Sequence, residues 1–352
     1  MPGLPDWSFA HGRPECRARI RSQPEDFEVE EVLGFTADGE GEHALLEIVK
    51  RGANTDWVAR ELARIAGVRT RDVSYAGRKD RHAVTRQHFS VWLGGRAMPE
   101  WPEHAEYRVL SAQRHRRKLR LGALKGNRFR LVLRELSQSA ADLETRLTRI
   151  REQGVPNYFG TQRFGHAGNN IARAERMFAE PGRIRDRTLR SLLLSTARSL
   201  IFNAILSERV RLDNWNTPLP GEACMLNGTH SVFRAETVDK ALCTRVASGD
   251  VHPTGPLWGV GERLSGAEAA ALEQSVAAQY PVFTQGLEAA RLAAARRSLR
   301  LPVPELVWHR ESPHELTLEF FLPAGCYATT VLRELVTLEN ANAGVEADAE
   351  EN

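Results

Sequence analysis

Apolar and polar positions alternate with period two over the first third of the chain, which predicts strands. Phe27-Glu28-Val29-Glu30-Glu31-Val32 is one, entered through the turn Gln23-Pro24-Glu25-Asp26, and Arg17 to Arg21 and Ala44 to Val49 are two more. After Gly52, Asn54 or Thr55 can cap a helix that carries Trp57, Val58, Leu62, Ile65 and Ala66 on one face and stops at Gly67. Val73 to Ala76 and Val84 to Val91 read as strands, as do Tyr107 to Ala112 and Arg128 to Leu136. The last sets Phe129, Leu131 and Leu133 on one face and Arg128, Arg130 and Arg134 on the other, the pattern of an antiparallel sheet with one face buried. Ser139 then caps a helix with Leu143, Leu147 and Ile150 in register, ending at Gly154.

From Gly154 to Gly160 the texture changes to helical periods. Asn169 to Phe178 and Leu189 to Val210 are helices, the second apolar on most sides and so the central helix of its domain. A stretch punctuated by Gly and Pro precedes a helix from Ala267 to Gln279. Strand character returns at Leu301 to His309 and Glu315 to Leu322, before a last helix near Ala328 to Leu338. Strands that reappear after a helical block need a sheet to join, and the nearest is that of residues 17 to 136. The economical architecture is a discontinuous sheet domain with a helical domain inserted.

Composition narrows the class. The 352 residues suffice for two domains, and 42% hydrophobic with 26% charged residues is the balance of a soluble globular protein. No apolar run reaches the length of a membrane span and no signal-peptide core opens the chain, so a cytoplasmic location is expected. Cys16, Cys224, Cys243 and Cys326 are scattered without ligand spacing, as free thiols would be. Net charge is only +3, yet Arg108 to Arg134 holds Arg108, Arg114, Arg116, Arg117, Lys118, Arg120, Lys125, Arg128, Arg130 and Arg134 and no acid. Such an unmixed run points to a polyanionic partner bound through phosphates. Arg183, Arg185, Arg187 and Arg190 form a second basic cluster, and the acidic tail from Ala341 to Asn352 is expected to be disordered.

Between the strands at Val73 and Val84 lies Gly77-Arg78-Lys79-Asp80-Arg81-His82. A glycine-entered loop held between strands is where a scaffold displays reactive groups, and flanking cations favour an ionised carboxylate, suited to a nucleophile or weak base. The bland alternative is a solvated, locally paired aspartate. The P-loop, dinucleotide, zinc-protease, serine-hydrolase and deaminase signatures are all absent, so chemistry here rests on side chains alone.

Gly77-Arg78-Lys79-Asp80-Arg81-His82-Ala83-Val84-Thr85-Arg86-Gln87 resembles the catalytic motif of the tRNA pseudouridine synthase D (TruD) family. Pro24 to Phe27, Lys50 to Thr55, Leu121 to Phe129, Gly154 to Gly165, Thr254 to Leu257 and Leu322 to Thr329 resemble further blocks, in family order. The resemblance implies an α+β fold: a pseudouridine synthase-type catalytic domain with a mixed, mostly antiparallel sheet, plus an inserted α/β, helix-rich TRUD domain. The corresponding boundaries are 15–154 and 301–340 for the catalytic domain, 155–300 for the insert and 341–352 for the tail.

It further implies isomerisation of a uridine in tRNA, typically position 13 in the D arm, without metal or cofactor, by a monomer with no protein partner. Asp80 is then the essential carboxylate, attacking C1′ or C6 or promoting loss of a ribose proton. Phe27, Asn127, Phe129, Tyr327, Arg21 and Lys79 match substrate-contacting positions, although alternation fits Phe129 equally to the core. Tyr327 stands where the family has Phe, so its hydroxyl needs a partner, and Arg21 stands where Lys is expected. The competing readings are a non-catalytic RNA-binding protein on the same scaffold and a ribosome-associated protein with a basic β-ribbon.

Overall fold

The structure is a computed structural model and describes residues 4–137, 142–180, 182 and 184–340. Its contacts divide the chain into two units interleaved in sequence. A sheet unit comprises Glu15–Leu143, Pro304–Gly325 and the chain from Val336, and a helical unit comprises the chain to Pro14, Glu144–Val303 and Cys326–Leu335. Ser139, Arg183 and the tail from Ala341 lie outside the described residues.

The sheet unit opens with β1 (Arg17–Ile20), β2 (Phe27–Val32), β3 (His43–Arg51), α1 (Thr55–Ala66), β4 (Val73–Tyr75), β5 (Val84–Trp92), β6 (Tyr107–His115) and β7 (Gly126–Arg134). Ala44, Leu46 and Ile48 of β3 and Phe89 and Val91 of β5 bury one face against Val58, Ala59, Leu62 and Ala63 of α1. This is the packing that the two periods demand. Gly67 ends α1 in the left-handed region (φ 61°), as its position suggests, but the Asn54 side chain makes no capping bond.

The helical unit follows with α2 (Leu143–Gln153), β8 (Val155–Pro156), α3 (Asn169–Ala179), α4 (Arg187–Arg211), β9 (Glu222–Leu226), β10 (Val232–Ala235), α5 (Lys240–Ala247), β11 (Val251–Leu257), α6 (Ala267–Ala277), α7 (Pro281–Ala289), β12 (Ala295–Ser298) and β13 (Arg300–Leu301). By length and composition α4 could cross a membrane, but 67% of its apolar window is buried, as befits a central helix. Leu193, Ala197, Leu200 and Ile201 form its core with Phe164, Ala174, Trp258 and Leu287.

The Gly/Pro-punctuated stretch conceals an antiparallel sheet of order β10-β9-β11-β12. Pro253 and Pro256 disguise β11 as a loop. The strand tolerates them because it pairs with β9 through Val251 to Pro253 and with β12 through Thr254 to Leu257.

The chain then returns to the first sheet as β14 (Val307–Ser312) and β15 (Glu315–Pro323), and after α8 (Ala328–Leu335) as β16 (Thr337–Asn340). The sheet runs β14-β15-β7-β2-β5-β3-β6, with β4 on β5 and β1 bridging β7 and β16. Among the described residues of this sheet, only β2–β5 and β1–β16 are parallel. The expected strand Leu301 to His309 is two elements, because Pro302 and Pro304 separate β13, paired with β8, from β14. The expected last helix stops at Leu335, and the residues from Thr337 form a strand paired in parallel with Arg17 to Ile20.

Candidate active site

β4 pairs with β5 as Val73 with Val91 and Tyr75 with Phe89, so residues 76 to 83 leave and rejoin the same ladder as a loop. Ala76 and Ala83 anchor its ends in the core. Its backbone is held from beneath by buried polar groups of the sheet and of the start of α1. Gln87 Nε2 donates to the Gly77 carbonyl (2.5 Å). Thr55 Oγ1 accepts the Lys79 N–H (3.0 Å) and donates to Gln87 Oε1 (3.1 Å). Lys50 Nζ donates to the carbonyls of Ala53 (2.8 Å), Asp80 (3.1 Å) and Lys79 (3.5 Å). Buried polar groups are costly unless partnered, so this arrangement fixes the loop's path.

Lys50 and Gln87 share that face because Lys50 lies opposite Thr85, and Ile48 opposite Gln87, in the β3–β5 ladder. Burial pushes the Lys50 amine down to about 8, with the Asp80 charge opposing. Sequence alone gives Lys50, Thr55, Gln87 and Glu31 no part in the site, although the first three lie in matched blocks and Thr55 is a candidate helix cap. The available signal was a lysine on the apolar parity of β3, in step with Leu46 and Ile48.

The carboxylate of Asp80 is 41% exposed and accepts from Arg21 Nη2 at 2.5 Å. Its sequence neighbours point elsewhere: Arg78 pairs with Asp56 (3.0 Å), Arg81 donates to the Gly52 carbonyl (3.1 Å), and Lys79 pairs with Glu31 (2.6 Å). The cation that meets Asp80 therefore comes from 59 residues away, not from the flanking cluster. Arg21 follows β1 with φ 60°, a conformation rare for a side chain of this size. Its guanidinium lies 4.2 Å from the Phe27 ring centroid, within cation–π range.

Glu31 is wholly buried. Burial alone would raise its pKa, but His88 (side chain at 3.7 Å, N–H donating at 2.9 Å) and the Lys79 charge outweigh it, and the carboxyl is held below its ordinary value. Opposite Glu31 on β7 stands Asn127, whose Oδ1 is buried without a hydrogen-bond partner among the described residues. Phe129, 9% exposed, meets Phe27 edge-to-face (6.3 Å) and stacks on Phe320 (5.5 Å). Register puts it between Val29 and Phe320. Arg21, Phe27, Asp80, Lys79, Glu31, Asn127 and Phe129 thus all belong to the sheet unit.

Tyr327 belongs to the helical unit. Its hydroxyl accepts from Arg163 Nη2 (2.9 Å), and Arg163 Nη1 reaches Ser195 Oγ (3.2 Å). Nearby, Arg297 donates to Asn157 Oδ1 (2.6 Å) and lies 4.3 Å from the Phe159 ring centroid, while Cys326 Sγ contacts the same Asn157 oxygen. The blocks at Gly154 and Leu322 meet here although about 170 residues separate them.

The basic run is not an unmixed patch once folded. Register seats Arg130 between Glu28 and Glu319 (3.3 and 3.6 Å), Arg134 pairs with Asp26 and Glu315 (2.8 Å each), Arg128 with Glu305 (3.5 Å) and Arg116 with Glu40. Arg108, Arg117, Arg120 and Lys125 are exposed, with no carboxylate partner among the described residues. Beside the paired strands, Glu28, Arg86, Arg128 and Phe321 border a cavity of about 520 Å³. The four cysteines are free thiols.

A family model described as "tRNA pseudouridine synthase D (TruD)" matches residues 7–179 and 169–335. A tRNA pseudouridine synthase D of Methylococcus capsulatus is 50% identical over 340 residues, covering 96% of each chain. Those of Nitrosococcus oceani and Aeromonas hydrophila are 52% and 48% identical, covering 93% and 99% of each chain. A crystal structure from Methanosarcina mazei that carries the same family name aligns over 96% of each chain with a TM-score of 0.72 at 23% identity, a likeness of fold.

Proposed function

The chain belongs to the tRNA pseudouridine synthase D family, and on that premise we propose that it isomerises a uridine of tRNA, position 13 in the D arm, to pseudouridine with Asp80 as the essential carboxylate and no metal or cofactor. The observation that carries this reading is the contrast at the loop: buried donors grip its backbone, yet the Asp80 carboxylate projects half exposed toward a single distant cation.

The reaction breaks the bond from N1 to C1′, turns the uracil, and joins C5 to C1′, after which the C5 proton is lost and N1 takes one up. Uracil leaves as a resonance-stabilised anion, so a carboxylate and hydrogen bonds suffice. Asp80 attacks C1′ or C6, or promotes ribose proton loss. Arg21, fixed across Phe27, directs the carboxylate until substrate enters. A base turned out of the RNA stack needs a ring and edge contacts to offset a few kcal/mol of unstacking. Phe27 and Phe129 supply rings, and the unpartnered Asn127 oxygen is an acceptor suited to a uracil N–H. Lys79 contributes by neutralising Glu31 beside Asn127, and Tyr327, held by Arg163, is a further substrate contact.

In this reading residues 15–154 and 301–340 form the catalytic domain and 155–300 the insert, and the enzyme acts as a cytoplasmic monomer. The test is Asp80→Asn, purified free of host enzyme: it folds and binds tRNA with parental affinity and forms no pseudouridine. Measurable turnover by that variant removes Asp80 from the role.

A further inference from the structure

Beneath the loop lies a lysine with no carboxylate in contact among the described residues. Lys50 is 1% exposed, with its stem on the apolar parity of β3. Its Nζ spends all three protons on carbonyl oxygens, those of Ala53, Asp80 and Lys79. Desolvating an ammonium is expensive, and a buried lysine that served packing alone would be better replaced by an apolar residue. Two of the three carbonyls belong to the peptide units on either side of the Asp80 Cα, so the clamp acts on the dihedral angles that aim its side chain.

We propose that Lys50 is a positioning residue for the reaction assigned above. Its buried ammonium ties the carbonyls of Lys79 and Asp80 to that of Ala53 and thereby sets the direction in which the Asp80 carboxylate leaves the loop. The inference rests on the catalytic reading of Asp80. A misplacement of about 1 Å in a reacting group can cost about a hundredfold in rate, which is how a residue that never touches substrate controls turnover.

The titration of Lys50 gives this role a signature. Burial lowers its pKa to about 8, with Asp80 and Glu31 opposing and Lys79 adding to the shift. Above that pH the neutral amine has two N–H groups for three carbonyls, the clamp slackens, and the rate falls. Stability moves the other way. The folded pKa lies below the unfolded value near 10.5, so the unfolded chain binds more protons between the two, and this group makes stability rise with pH there. A purely structural lysine predicts no loss of rate over that interval.

Single-turnover pseudouridine formation is measured from about pH 6.5 to 9.5 for the parent and for Lys50→Met, with tRNA affinity and hydrogen exchange of the residue 78–82 amides on the same preparations. The expected parent rate falls with a midpoint near pH 8 while the protein stays folded. Lys50→Met is expected to be slower at pH 7 by about ten- to a hundredfold, to lack the alkaline fall, to bind tRNA as the parent does, and to exchange the loop amides faster. A parent rate flat from pH 7 to 9.5, or a folded Lys50→Met with parental rate and exchange, overturns the proposal. Should Lys50→Met fail to fold, Lys50→Arg, which stays charged throughout, decides: loss of the alkaline fall supports the clamp and its persistence overturns it. A parent that forms no pseudouridine while Lys50→Met loosens the loop defeats the reading of Asp80 and leaves the clamp standing.

Discussion

Arg21 and Asp80, 59 residues apart in sequence, meet at 2.5 Å, and the guanidinium that makes this contact also lies over the Phe27 ring. One side chain thus orients a carboxylate and covers an aromatic face. The pair is part-exposed, and such pairs contribute at most about 1 kcal/mol to stability. Arg21→Met should therefore unfold at nearly the parental urea concentration but lose at least about tenfold in single-turnover rate, because the carboxylate is no longer directed. Arg21→Lys should recover part of the loss, since a point charge replaces a fork. Parental rate in Arg21→Met would show the contact to be incidental.

Lys79 answers to Glu31 rather than to its neighbour Asp80; Glu31 is buried and the Lys79 side chain is largely covered. Lys79→Met leaves a buried carboxylate uncompensated, at a cost of about 3 to 5 kcal/mol at pH 7. In the parent the Glu31 pKa is depressed, so its stabilisation is complete above the unfolded value near 4.5 and disappears as pH falls through the folded one. Without Lys79 the burial penalty prevails and the carboxyl protonates more readily. Urea unfolding should accordingly show a large deficit for Lys79→Met at pH 7 that shrinks toward pH 4, and Glu31→Gln in the same chain should recover much of it. A deficit independent of pH would locate the damage elsewhere.

Phe129 sits in an aromatic cluster, and contacts of the kind it makes with Phe27 and Phe320 are worth about 0.5 to 1.5 kcal/mol each. Phe129→Leu should lower the melting temperature on that account. A ring that also carries the displaced base makes a second demand: the single-turnover rate of the folded variant should drop more than tRNA affinity does. A destabilised Phe129→Leu with parental rate per folded molecule assigns the ring to the core alone.

Cations already paired to carboxylates release fewer counterions on meeting RNA than unpaired ones. Replacing Arg117, Arg120 and Lys125 together by Ala should reduce the slope of log affinity against log salt by roughly two to three units. The same change at Arg128, Arg130 and Arg134, which face Glu305, Glu28, Glu319, Asp26 and Glu315, should alter it by less than about one. Equal effects would contradict the pairing, and no effect from either set would direct attention to Arg173, Arg176, Arg187 and Arg190, exposed on α3 and α4.

Local pattern by itself determined much of this protein. Period two gave β2, β5 and β7, period 3.6 gave α1 and α4, and the return of strands after the helical block foretold that β15 would join the first sheet, which it does by pairing with β7 over nine residues. The motif around Asp80 singled out the loop, because a glycine entry and a dense set of charges are visible in a linear string. What the string concealed were relationships across the sheet. Arg130 is one of ten cations in sequence but stands between two glutamates once β2 and β15 flank β7, since antiparallel register alone decides which side chains face each other. Asp80 has cations on both sides in sequence and none of them as partner, because Lys79 is drawn to Glu31, Arg78 to Asp56 and Arg81 to Gly52. The prolines of β11 hid a strand whose change of partner midway makes room for them. Lys50 opens a matched block, but its task is not legible in sequence, because only the folded chain brings three carbonyls to its amine and gives a buried cation something to hold.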